Sequence, residues 1–205
     1  SLSSIVDRAV GSKRFRVKVR TRGGHSYDDF GNDNAIAGLA SLVGKLYGIR
    51  VPEGGKTTYN VGMISGGTSV NTIAQEAEML YEFRSDRREN LEYMERQFME
   101  VFDRAKAEGM DVSFKVIGVR PCEGQVDPKR KQALSDWAHR EMTGQAPKHC
   151  AGSTDCNIPL SLGIPSVCVG SFRGAGAHTW EEYVETDSLE EGYKVAFGMI
   201  FGSRD

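Results

Sequence analysis

The sequence predicts a chain of mixed α and β structure in two parts: an α+β sandwich of order β-α-β-β-α-β over residues 14–120, then an α/β segment. Three observations carry this. Four runs alternate apolar and polar residues, two runs between them repeat at helical spacing, and past "RPCEGQVDP" (residues 120–128) the pattern changes to short apolar runs bounded by Gly and Pro.

The first strand is "RFRVKVR", Arg14 to Arg20, with Phe15, Val17 and Val19 on one face and four cations on the other. Ala35, Ile36, Leu39, Leu42, Val43 and Leu46 then mark an amphipathic helix, with Asn32 or Asp33 as N-cap and Gly48 as its stop. "TTYNVGMI" and "EAEMLYEF" are two strands joined through "SGGTSVNTIAQ". A second helix follows on Leu91, Met94, Phe98, Val101, Phe102 and Ala105, ended by Gly109, and "DVSFKVIGV" is the fourth strand. This order is that of a split βαβ, ferredoxin-like sandwich, with two helices over one face of a four-stranded antiparallel sheet.

In the second part Asp127 caps a helix opened by Pro128 and closing near Gly144. "GIPSVCVG" has the character of a buried strand of an α/β sheet. Ser188 and Glu191 are spaced as a capping box for a last helix carrying Leu189, Tyr193, Ala196, Phe197 and Ile200 on one face. One buried strand cannot make a sheet, so this part is expected to be incomplete, with residues 1–13 and 121–205 forming a portion of a larger α/β domain.

Composition excludes some functions. Lys plus Arg (26) nearly balance Asp plus Glu (28) with no basic block, which argues against nucleic-acid or anionic-membrane partners. No apolar run approaches the ~18 residues of a membrane span, and the first residues lack the apolar core of a signal peptide. Cys122, Cys150, Cys156 and Cys168 match neither a zinc ribbon nor a disulfide scaffold, so a reducing, cytoplasmic location is expected.

The candidate chemistry lies in polar and glycine-rich loops. His178 follows the apolar strand in "GAGAHTWEEYV", His25 follows the first strand in "GGHSY", and Asn71 sits after two glycines in "GGTSVNTI". Arg84 in "EFRSD" is out of phase with Phe83, as a solvated charge or a carboxylate-binding fork would be. Ser153 and Thr154 in "AGSTDCN" precede a short helix, as an N-cap or an anion-binding turn would. Each also has an ordinary structural use, and no histidine stands at a complete zinc-motif spacing.

In order, "GGHSY", "NVGMISGGTSVNTIAQEAEMLYEFRSD", "GSTDCNIPLSLGIPSVCVG" and "GAGAHTWEEYV" resemble the co-catalytic zinc peptidases. That family includes aminoacylase, succinyl-diaminopimelate desuccinylase, glutamate carboxypeptidase and peptidase T-like tripeptidases. The resemblance implies an α/β catalytic domain interrupted by a ferredoxin-like lid that usually dimerises. It makes His178 the last zinc ligand, with Glu182 supporting it. His25 becomes the lid histidine that reaches the active site of the partner and polarises the scissile carbonyl. Asn71 and Arg84 become binders of substrate carbonyl or carboxylate, and Ser153, Thr154 and Gly176 line the substrate pocket.

The implied activity is hydrolysis of amide bonds in small peptides or N-acyl amino acids by two zinc ions, in a homodimer joined through the lid. The family's H-x-D pair, bridging aspartate, Glu-Glu pair and further acidic ligand all precede the lid, and none is in these 205 residues. They are expected upstream of Ser1, and the chain alone is expected to be inactive. A non-catalytic dimerisation or peptide-binding module derived from such a lid is the alternative.

Overall fold

The computed structural model describes residues 2, 4–141 and 148–202, which fall into two compact units, one of Gly11–Arg120 and one of the remaining chain on either side of it. In the first unit β2 (Gly11–Arg20), β4 (Thr57–Gly66), β6 (Glu76–Ser85) and β7 (Asp111–Arg120) form an antiparallel sheet of order β4-β6-β2-β7. α1 (Ala35–Tyr47) and α2 (Arg88–Ala107) complete the β-α-β-β-α-β sandwich that the sequence predicts.

The alternation of β2 and β6 decides which face is covered. Phe15, Val17 and Val19 meet Tyr81, Met79 and Ala77 across the ladder, all of them buried. Leu39, Leu42 and Leu46 of α1 and Met94, Phe98 and Phe102 of α2 close over them. Phe98 stacks on Phe15 at 4.1 Å and takes the edge of Phe114 at 5.2 Å. Such ring contacts add about 0.5–1.5 kcal/mol each beyond area burial.

The N-cap of α1 is Asn34, not Asn32 or Asp33. Its Oδ1 accepts from the amides of Ile36 (2.9 Å) and Ala37 (3.4 Å), while Asn32 is taken by the carbonyl of Gly23. Spacing to the first apolar residue does not distinguish three adjacent capping residues.

One core atom is costly. The Tyr81 hydroxyl is buried without a hydrogen-bond partner, and desolvation pushes its pKa upward. Tyr81→Phe removes that oxygen and keeps the ring, so it is expected to hold or raise stability, by up to about 1 kcal/mol. A urea midpoint lower than wild type would show that the hydroxyl is satisfied after all.

In the second unit β1 (Ser4–Ala9) lies between β8 (Lys148–Gly152), which is parallel to it, and β9 (Cys168–Val169), which is antiparallel. This corrects the expectation for "GIPSVCVG". Only Cys168 and Val169 are strand, both half-buried, and the fully buried strand residue is Ile5. α3 (Pro128–Glu141) starts where expected, with Asp127 Oδ1 accepting from Lys129 at 2.9 Å. Its expected end near Gly144 lies outside the described residues.

The capping box of α5 (Ser188–Phe201) does not form. Ser188 Oγ donates to the Glu185 carbonyl and accepts from the Arg173 amide, and Glu191 pairs with the Arg173 guanidinium. The expected apolar face is also turned outward among the described residues: Leu189, Tyr193, Phe197 and Ile200 are exposed, while Ser188, Gly192 and Val195 pack inward. All four cysteines are free thiols. No helix among the described residues is long and apolar enough to cross a membrane.

Candidate functional site

In the Gly11–Arg120 unit a two-residue bridge joins the two predicted loops. β3 (Gly24–His25) pairs antiparallel with β5 (Thr72–Ile73), setting His25 opposite Thr72, and the Ser26 amide donates to the Asn71 carbonyl at 3.0 Å. Gly23 and Gly24 make the bridge possible: both have positive φ, and a Cβ on Gly24 would lie 2.6 Å from Asp29 Cβ. His25 and Asn71, well separated in sequence, therefore share one edge.

Asp29 fixes the histidine's backbone. Its Oδ2 accepts from the His25 amide at 2.8 Å, and its own amide returns to the His25 carbonyl at 2.9 Å. The ring is half exposed, and Nδ1 faces the Asp28 carboxylate at 3.3 Å and the amides of Tyr27 and Asp28, both at 3.4 Å. These contacts occupy Nδ1, so Nε2 is the ring nitrogen left to face a ligand. Asn71 Oδ1 accepts from Ser69 Oγ at 2.8 Å, so its amide nitrogen is the end oriented for a ligand oxygen. Asp29 is a positioning residue that pattern reading missed; the signal was a carboxylate four residues after the histidine.

Arg84 lies elsewhere. It sits on the sheet face away from the helices, near the opposite end of β6 from Glu76, and that strand runs eight residues between them, about 27 Å at strand rise. It grips Glu82 with a two-pronged fork, Nε to Oε1 at 2.8 Å and Nη2 to Oε2 at 3.1 Å. The structure brings His25 and Asn71 together and leaves Arg84 apart from them.

In the second unit Ser153 and Thr154 follow β8, with the short α4 (Asn157–Ser161) beyond. Neither caps it by side chain in the usual way. Thr154 Oγ1 accepts from Cys156 at 3.3 Å, and Asn157 Oδ1 accepts from the Thr154 amide at 2.9 Å. Asn157 is buried, and its Nδ2 donates to the carbonyls of Val10 and Pro121, each at 2.9 Å. It ties together the two points where the chain leaves and re-enters this unit, a role no periodicity announces.

His178 crowns a tight hairpin of β10 (Gly174–Ala175) and β11 (Tyr183–Val184). A Cβ on Gly174 would meet the Tyr183 carbonyl at 2.2 Å, and one on Gly176 the Glu181 carbonyl at 2.7 Å, so both must be glycine. His178 itself has φ 68°, the only positive φ among the described non-glycine residues, and its amide donates to Glu182 Oε2 at 3.2 Å. Left-handed backbone costs a side-chain-bearing residue roughly 1–2 kcal/mol. His178→Gly is therefore expected to be about 1 kcal/mol more stable than His178→Ala by thermal melting. Equal midpoints would mean the loop relaxes out of that conformation.

A metal site is not complete here. Among the described residues no three His, Cys, Asp or Glu side chains gather as a metal would require, and one imidazole is one of the four ligands a zinc ion usually takes. These residues do not by themselves fit a zinc ion.

Comparison with known proteins gives this arrangement its context. Residues 9–110 match the family model of the peptidase dimerisation domain, M20_dimer. A p-aminobenzoyl-glutamate hydrolase homolog of Haemophilus influenzae is 35% identical over 83 residues, 40% of this chain and 18% of that protein. Aminopeptidase PepT of Bacillus cereus superposes with TM-score 0.69 at 23% identity, covering 97% of this chain and 53% of its own. A tripeptidase of Staphylococcus aureus gives TM-score 0.71 at 22% identity, with the same coverage, 97% and 53%. The chain spans about half the length of these structures, and at such identities the likeness speaks for the fold. Through residues 9–110, the chain belongs to the M20 peptidase dimerisation-domain family.

Proposed function

We propose that the chain is the lid and adjoining α/β portion of a zinc-dependent hydrolase of amide bonds in small peptides or N-acyl amino acids, acting in a reducing, cytoplasmic setting. The observation that carries this is the β3–β5 bridge, which brings the loops carrying His25 and Asn71 onto one edge of a peptidase-family domain. Together they suit a polarised carbonyl oxygen, where oriented donors in a dry site stabilise developing charge. His178, on its constrained hairpin, is the one zinc ligand this chain contributes; the chain alone is expected to be inactive.

Asn71 and Arg84 serve as substrate-binding groups, and Ser153, Thr154 and Gly176 line the pocket. The name of the Haemophilus relative adds p-aminobenzoyl-glutamate to the substrates to be tried. The test is to assay the complete reading frame that carries this chain, loaded with zinc or cobalt, against dipeptides, tripeptides, N-acyl amino acids and p-aminobenzoyl-glutamate. Hydrolysis of none of them would overturn the reading in favour of a non-catalytic dimerisation or peptide-binding module.

The protein is proposed to be a homodimer through this unit. β4 is an edge of the sheet, with Met63 and Ile64 exposed along it, and an open edge offers unpaired backbone groups to a second copy. A strict monomer by light scattering at high concentration would remove that assignment.

A further inference from the structure

The sheet face away from the helices is a charge ladder with one apolar interruption. On β2 and β6 it presents Arg14, Arg16, Lys18 and Arg20 against Glu76, Glu78, Glu82 and Arg84, paired across the strands. Leu80 is the exception, the one apolar side chain these two central strands place among the charges.

Both edge strands bulge at the same level. The β4–β6 register slips between Val61 and Met63, opposite Tyr81 and Leu80, and the β2–β7 register slips between Arg14 and Phe15, skipping Ile117. Phe15 and Tyr81 are themselves paired, so the two bulges flank one rung of the sheet. A bulge re-aims the side chains beside it, and bulges gather next to binding sites. Here they bring Met63 and Ile117 up on either side of Leu80 and form an open cavity of about 260 Å³, lined also by Asn60, Arg14 and Glu82. That falls just below the ~300–1,000 Å³ of drug-sized pockets and suits a fragment the size of one amino acid.

The polar lining has a spare cation. Burial pushes the Glu82 carboxyl up, but hydrogen bonds from Arg84 and then Arg14 outweigh it and hold its pKa below the usual carboxylate range. Arg84 satisfies both Glu82 oxygens with its fork, whereas Arg14 makes a single bond, Nε to Oε2 at 3.0 Å, from a half-exposed side chain. Two guanidinium groups against one carboxylate leave a net charge of +1, and Arg14 can turn donors to a second anion while Glu82 stays paired.

We propose that this cavity binds a small monocarboxylate with an apolar side chain, such as the acid end of an N-acylated aliphatic amino acid, the carboxylate on Arg14 and the side chain on Leu80, Met63 and Ile117. Its use as a substrate subsite rests on the hydrolase reading above; the binding itself does not.

The test is an amide-resolved NMR titration of the 205-residue chain with N-acetyl-leucine, N-acetyl-leucinamide and N-acetylglycine. Expected are shifts centred on Asn60, Gly62, Met63, Leu80 and Ile117, with the uncharged amide roughly tenfold weaker or more, since a hydrogen bond to a charged group is worth at least that factor. Arg14→Gln brings the acid down to the level of the amide, and Leu80→Ser brings N-acetyl-leucine down to N-acetylglycine, both with an unchanged melting midpoint. Acid and amide binding equally, shifts centred elsewhere, or no shifts at millimolar ligand overturn the proposal. A complete protein that hydrolyses no amide while this binding persists would overturn the hydrolase reading alone.

Discussion

Gly192→Ala should cost about 3 kcal/mol or more and should unfold the second unit ahead of the first. The sign is what makes the experiment informative. At an exposed position inside a helix, replacing glycine by alanine stabilises by about 1 kcal/mol. Here a Cβ would lie 1.6 Å from the Ser171 carbonyl oxygen and 2.4 Å from its carbon, and both are backbone atoms that cannot rotate away. α5 would have to lift off that segment, taking Val195 from the cluster it forms with Ile5, Leu2 and Ala138. Both tryptophans, Trp137 and Trp180, belong to this unit, so tryptophan fluorescence against urea reports its unfolding, while amide exchange along β6 reports the other unit. An unchanged or raised fluorescence midpoint would show that α5 does not pack as described.

The same glycine explains a misreading of the sequence. The apolar positions of α5 are spaced as a helix requires, so its existence and length were legible. Which face packs on the described residues was not, because that contact is made through Gly192, and a hydropathy pattern gives glycine no weight. In the Gly11–Arg120 unit the four strands of the large sheet are long and alternating, and there pattern and packing agree. β1 and β8 of the second unit escaped notice because "SIVDRA" and "KHCAG" are short and do not alternate, and their pairing joins residues far apart in the chain.

The site was legible as loops and illegible as geometry. Glycines just ahead of His25, Asn71 and His178 were signals of unusual backbone, and the structure finds that backbone at Gly23, Gly24, Gly67, Gly176 and His178 itself. What no local pattern contains is that β3 and β5 meet, that Asp29 pins the histidine from four residues away, or that Asn157 holds two chain crossings together. Those are contacts between segments, and only a fold supplies them.

If the complete protein is the amide hydrolase proposed above, His25→Ala should lower its kcat by about 100- to 1,000-fold with KM nearly unchanged. The reasoning runs through the proton. With Nδ1 occupied by the Asp28 carboxylate and the amides of Tyr27 and Asp28, the ring turns Nε2 to the substrate, where a proton matters most when a carbonyl oxygen gains charge and less when the neutral substrate binds. Loss of such a donor appears in kcat. Asn71 should behave differently if its amide holds the substrate in both ground and transition states, with Asn71→Ala raising KM and sparing kcat. Asp29→Ala leaves the imidazole in place but frees its backbone, so it should give a smaller loss of kcat than His25→Ala, and none when His25 is already alanine, because its effect passes through that ring. Steady-state kinetics on the three variants and the double mutant decide the matter. If His25→Ala keeps kcat within about twofold of wild type, where one donor should account for about 2.7–4 kcal/mol, His25 is a loop residue and the carbonyl is polarised by something else.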